Sequence, residues 1–413
     1  MERVLFSPER KCYNQDMALE LNKLTHAVDD LGKNAAHRLA DLDERLPAAL
    51  ATLHAIGQAS DELCRTVDEV VRKYRWAGAI PTDEPVNSTH PLPPHPARAN
   101  LIAADGSQIY PDRHGVALYY LVNTGSIVFR HGLAEAPRTA STPQVFYEDA
   151  DLYEEDGGQI PSVMIDAKRD LRELAELARL AEAEAKTAPT LALLDNGLLL
   201  YIALQTQNQS LVNAFLKDYL GQLDALKATG AAVAGIVDRP RAASVVRLLR
   251  LALLKPEEIN ETELRRMGSF EHITDALLLN FLKPGERSAL FVNASPANQD
   301  QYRPAGHTVY FFYLNAGRPG KDALLRVEVP EWVAKDPARL NLAHAAIAEQ
   351  CRVSDGFPYV LMRAHELAVV TASERREFDQ MVVGAMMRQG LKPSVSQKAQ
   401  GKAWTGGSKR RYR

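Results

Sequence analysis

Residues 162–195 read SVMIDAKRDLRELAELARLAEAEAKTAPTLALLD, and this stretch decides the fold class. Leu171, Leu174, Leu177 and Leu180 recur every three residues through an otherwise charged segment, so one face of a helix is apolar. Pro189 closes that pattern. TLALLD follows, a continuous apolar run too short for a helix and typical of a strand covered on both faces. The same alternation repeats, with a helical segment from about Ser210 to Thr229 leading into the apolar run AAVAGIVD at 231–238. Helix and buried strand in alternation predict an α/β protein, a mixed sheet flanked by helices.

Upstream, LIAADGSQI (101–109), GVALYYLVNTG (115–125) and SIVFRHG (126–132) are apolar, β-branched and aromatic runs separated by turn-forming residues. NTGS (123–126) reads as a hairpin loop and Asp105-Gly106 as a turn, giving three adjacent antiparallel strands. Downstream, VYFFYLNA (309–316) and LLRVEVPEW (324–332) make a further antiparallel pair. Helical DPARLNLAHAAIAEQCRV (336–353) and GFPYVLMRAHELAVV (356–370), ending in a helix that carries His365, complete the domain.

From Met17 to about Lys73 the pattern is helical, with Leu21, Leu24, Val28, Leu31, Ala35, Leu39, Leu42 and Leu46 on one stripe. Pro47 is expected to break it into two helices, a hairpin or coiled-coil arm whose stripe packs on its own domain or on a partner. IPTDEPVNSTHPLPPHPARAN (80–100) reads as a proline-rich linker. The organisation predicted is a helical region at 1–80, a linker at 81–100, the main domain at 101–391 and a flexible, basic tail at 392–413.

Across 413 residues, 46% hydrophobic content supports a sizeable core, and 49 basic against 52 acidic residues give a net charge of −3. No global basic field points to nucleic acid, so any such surface is local. Three cysteines without a Cys-x-x-Cys pair argue against a disulfide framework and a cysteine zinc site. No run of about 18 apolar residues suggests a membrane span, and the first twenty residues lack a signal-peptide core, so a cytoplasmic protein is expected.

Two apolar runs end alike, LIAAD on Asp105 and LALLD on Asp195, each followed by a small, flexible residue. Either Asp alone is explained as a turn former. Together they suit a hard divalent cation, which prefers oxygen ligands and activates water for phosphodiester cleavage. Glu173 and Glu176 share a face of the leucine-striped helix, as a third acid or as a solvated salt-bridged surface. His365, in YVLMRAHELAVV, is a core histidine unless it lies beside those acids. Asp238 ends a third strand, and Arg239, Arg241, Arg247 and Arg250 follow it; Arg239 and Arg241 form a candidate phosphate track.

The order AADGSQIYPDRHG, RDLRELAEL, LALLDNGLLL, GIVDRPRAASVVRLLRL, FFYLNAG with LLRVEVPEW, and GFPYVLMRAHELAVV resembles the NurA nuclease family from about Leu101 to Thr371. The resemblance implies a ribonuclease H-like core and a manganese-dependent (or magnesium-dependent) DNA nuclease with 5′-to-3′ exonuclease and single-strand endonuclease activity. It further implies a homodimer that works with a hexameric HerA-type ATPase in double-strand-break end resection. By motif position Asp105 and Asp195 are the metal carboxylates and His365 the late active-site histidine. The helix glutamate of the family falls on Glu173 or Glu176, and Glu176 completes a metal set with Asp105, Asp195 and His365. One departure is visible: Asp195-Asn196-Gly197 stands where many members carry a second Asp-Gly-Ser. The alternative is a catalytically silent or defence-system relative that docks on an ATPase ring.

Overall fold

Parallel pairing of two central strands organises the molecule in a computed structural model that describes residues 21–58, 60–154, 157–200, 209–321 and 323–391. In chain order the elements begin with α1 (Thr25–Ala55), α2 (Asp61–Lys73), β1 (Ala79–Pro81) and β2 (Thr89–His90). Long strands β3 (Ala99–Ile109), β4 (Tyr120–His131) and β5 (Arg138–Phe146) lead through the short α3 (Asp149–Leu152) into α4 (Ser162–Glu184). Next come β6 (Thr190–Leu194), α5 (Gln209–Thr229), β7 (Ala232–Val237), α6 (Ser244–Ala252), α7 (Glu261–Arg265) and α8 (Asp275–Leu278). Strands β8 (Arg287–Ser288), β9 (Phe291–Asn293), β10 (Val309–Asn315) and β11 (Leu324–Pro330) precede α9 (Glu331–Ala334), α10 (Pro337–Val353), α11 (Tyr359–Ala368) and α12 (Ala372–Arg388).

The sheet runs β1-β9-β10-β11-β7-β6-β3-β4-β5. Within it β3, β6 and β7 are parallel, and β4 is antiparallel to both β3 and β5. Five strands in the order third-second-first-fourth-fifth, with only the second reversed, form the ribonuclease H-like sheet. Antiparallel β11, β10, β9 and β1 extend it beyond β7.

Strand alternation sends β3 residues to two layers. Leu101 and Ala103 pack with Val360, Leu361 and Ala364 of α11, and with Ala343, Ala346 and Ile347 of α10. Ile102 and Ala104 pack with Leu174 and Leu177 of α4 and Leu223 of α5. A third cluster joins Phe311 and Tyr313 of β10 to Leu53 of α1, Val67 of α2 and Leu248 of α6. The TLALL run of β6 is buried at every residue, as helices on both faces require.

The structure departs from the sequence expectations at four places. NTGS is not a hairpin loop: β4 runs unbroken through it, and the third antiparallel strand is β5. The Asn123 amide donates to Leu367 and Ala368 carbonyls, so contacts with α11 override local turn preference. Asp105-Gly106 likewise continues within β3 instead of turning. Helix α1 passes through Pro47. The roughly 3 kcal/mol that an interior proline costs is opposed by the burial of Ala49 and Leu53 just beyond it. Finally, the proline-rich stretch lies against the sheet: β2 pairs with β8, and Arg287 donates to both Glu84 oxygens at 2.7 and 2.9 Å. Met17 to Glu20 and the basic tail 392–413 lie outside the described residues.

Candidate active site

The site follows from strand register. Ala104 pairs with Leu194 as the last parallel step between β3 and β6, so Asp195 leaves β6 beside Asp105, which stays within β3 at the point where its parallel neighbour ends. Ligands collect at such a point because strand ends deliver side chains there without a covering layer. Asp105 accepts the Gly106 N–H through Oδ1 at 2.8 Å, and its Oδ2 lies 2.7 Å from Nδ1 of His365.

His365 reaches Asp105 because α11 sits unusually close to β4. A Cβ on Gly125 would lie 2.4 Å from the Ala364 carbonyl oxygen and 2.5 Å from the Ala368 nitrogen, so only glycine permits the approach. The end of α11 is then tied down: Ser107 and Asn123 donate to the Ala368 carbonyl at 2.5 and 2.8 Å. Carbonyls at a helix C-terminus lack intrahelical partners, and these side chains supply them.

From the opposite layer, α4 brings Glu173. Gly106 makes room, since a Cβ there would fall 2.4 Å from Cγ of Arg169 and 2.7 Å from Oε1 of Glu173. Glu173 is buried and lies 3.2 Å from Nε of Arg169, which also pairs with Asp170 at 2.7 Å. Burial and the neighbouring Asp170 push the Glu173 carboxyl well above the usual range; Arg169 opposes this, and Asp105 and Asp195 add to it. Asp195 is pushed up to about 6 by burial and by Asp105, with His365 opposing. Burial also raises Asp170, against the pull of Arg169.

Carboxylates that raise one another's pKa are short of positive charge, and oxygen donors in this number match a hard divalent cation. Among the described residues, no three His, Cys, Asp or Glu side chains are already gathered tightly enough to hold a metal ion. Asp105 spends its oxygens on Gly106 and His365, and Glu173 faces Arg169. The donor chemistry fits the ion; the side chains are engaged with protein partners.

Of the residues singled out in the sequence, His365 touches Asp105, and Asp195 and Glu173 lie near enough to feel the Asp105 charge. Glu176 is not among them: it accepts from Ser126 at 2.8 Å and pairs with Arg179 at 2.7 Å. Despite partial burial, those hydrogen bonds hold its carboxyl below the usual range. Arg239 and Arg241 are exposed just past the end of β7, Arg239 with a side chain 94% accessible. The adjoining Asp238 is near enough to raise Asp195. Sequence reading missed Asp166, Asp170 and Glu328, which with Gln108, Tyr110 and Glu173 line a cavity of about 520 Å³. Asp166, Asp170 and Glu173 fall at i, i+4 and i+7, a one-face helical spacing that was available to find them.

Comparison with known proteins now adds to the geometry. A family model described as the NurA domain matches residues 99–370. Among solved structures the chain is similar to the NurA nuclease from Sulfolobus solfataricus at 13% identity, covering 87% of this chain and 98% of that one with a TM-score of 0.44. A NurA structure with manganese aligns at 9% identity over 84% of this chain and 98% of that one, with a TM-score of 0.38. A type 1 RNase H with the type 2 active-site motif aligns over 35% of this chain and 64% of that one, at 12% identity and a TM-score of 0.22. No curated protein sequence matches.

Proposed function

This chain belongs to the NurA family, and on that premise we propose that it is a manganese-dependent DNA nuclease. The activity proposed is 5′-to-3′ exonuclease and single-strand endonuclease cleavage, in DNA end resection with a hexameric HerA-type ATPase and as a homodimer. The observation that carries the reading is His365 at 2.7 Å from Asp105, with Asp195 and Glu173 near enough to feel the Asp105 charge. Manganese is favoured because a similar NurA structure contains it, and magnesium shares the ligand preference. No helix among the described residues is long and apolar enough to cross a membrane.

When bound, a divalent ion supplies an activated water and neutralises charge developing on the phosphodiester. Asp105, Asp195 and Glu173 are the residues that would hold it. His365 has Nδ1 committed to Asp105 and a side chain 62% accessible, so its ring is oriented and can exchange a proton with a substrate oxygen through Nε2. Arg239 and Arg241, exposed just past the end of β7, would meet the phosphate backbone; arginine suits that contact through its planar set of donors.

The test is Asp105→Asn assayed on labelled single-stranded DNA with manganese. Cleavage should be abolished with the circular dichroism spectrum unchanged. A folded variant that cuts DNA at the wild-type rate would sink the assignment.

A further inference from the structure

The RVEVP segment of β11 stands out in the sequence, yet none of its residues is assigned a role in the reaction. Glu328 lies within it, 5% exposed, and lines the same cavity as Glu173. Its two oxygens serve different partners. Oε2 accepts the backbone N–H of Leu198 at 2.9 Å, while Oε1 accepts Nε and Nη2 of Arg326 at 2.9 and 2.8 Å. Leu198 belongs to the loop that carries Asp195 out of β6, three residues further on.

The seat for that loop is built from two glycines and this carboxylate. Gly235 of β7 pairs with Glu328 in the sheet, and a Cβ on it would lie 2.4 Å from the Asn196 carbonyl oxygen. A Cβ on Gly197 would lie 2.7 Å from Oε2 of Glu328. The loop therefore folds down over β7 onto β11. Arg326 is fixed in turn: its guanidinium stacks 3.6 Å from the Phe311 ring, and Tyr313, 3.5 Å from it, donates to buried Asp275 at 2.8 Å.

We propose that Glu328 is a positioning residue, held by Arg326, that fixes the Asp195 loop through the Leu198 N–H so that the Asp195 carboxylate stays at the β3–β6 edge. This rests on the reading of Asp195 as a metal ligand. Residues that orient ligands from behind typically change metal affinity by about 10- to 100-fold when altered.

Both groups facing Glu328 are donors, so a carboxylate satisfies both and an amide cannot. Glu328→Gln keeps its oxygen on the charged guanidinium of Arg326, which binds it more strongly than a neutral N–H does, and turns its NH2 group toward Leu198. Paired with Arg326→Met, the same Gln is free to accept from Leu198. Amide hydrogen exchange at Leu198 without metal, and Mn2+ affinity by titration calorimetry, read the two links separately. Glu328→Gln should exchange about tenfold faster at Leu198 and bind Mn2+ about tenfold more weakly, with the double variant recovering both. Wild-type exchange or wild-type Mn2+ affinity in Glu328→Gln overturns the positioning role. If that variant does not fold, a folded double variant with an unprotected Leu198 overturns it, and one with protection and affinity near wild type supports it. Asp195→Asn is the control: unchanged Mn2+ affinity there overturns the metal reading itself, whereas weakened binding there alone overturns only the part given to Glu328.

Discussion

Glu173 and Glu176 stand three residues apart on α4 and meet opposite surroundings. A three-residue step turns a helix by about 300°, enough to carry Glu176 to Ser126 of β4 and Arg179 while Glu173 faces the aspartates. Glu173→Gln should therefore remove manganese-dependent cleavage, and Glu176→Gln should leave the rate near wild type. A side-by-side assay on labelled DNA checks both, and equal losses would refute the distinction. The periodicity places both residues on one side of the helix; their tertiary neighbours separate them. Asp105 teaches a related lesson, because Asp-Gly is a strong turn signal. In the fold the glycine serves close approach by α4, not a bend.

Among the elements, α11 is seated on β3 and β4 through a few close contacts. Its backbone rests on Gly125, and its terminal carbonyls on Ser107 and Asn123. Gly125→Ala forces backbone against a new methyl group, a misfit that typically costs 1–3 kcal/mol, so the melting temperature should fall by several degrees. His365 should also lose Asp105, seen as a changed imidazole NMR signal; an unshifted melting curve and an unaltered signal would contradict this account. Helix α1 shows the limit of pattern reading at this scale. Its apolar stripe is real, but Val28, Leu31 and Leu39 are exposed while Ala49 and Leu53 are buried against the domain. The same periodicity describes both halves, since amphipathicity names a face and not what lies opposite it.

For the whole molecule, acid should loosen the fold through His344 of α10. This ring is 1% exposed, donates from Nε2 to the Gly285 carbonyl at 2.8 Å, and is held down to about 4, chiefly by burial. A histidine depressed in the folded state binds its proton more readily when unfolded, so stability is full above about pH 6.5 and is lost as pH falls toward about 4. From pH 7 to pH 5 this one group should lower the unfolding free energy by about 2 kcal/mol. Urea denaturation at both values, compared with His344→Gln, checks it; an equal drop in both proteins would remove His344 as the cause. Sequence alone determined the α/β class, the buried character of β6 and β7, the pair of aspartates that follow apolar runs and the late histidine, because these depend on local periodicity and on residue type. Tertiary structure decided which glutamate joins them, that NTGS and Asp-Gly remain strand, that Pro47 is tolerated, and that Glu328 meets the Asp195 loop. Those outcomes rest on contacts between residues far apart in the chain, where burial and close approach outweigh the local preferences that a sequence displays.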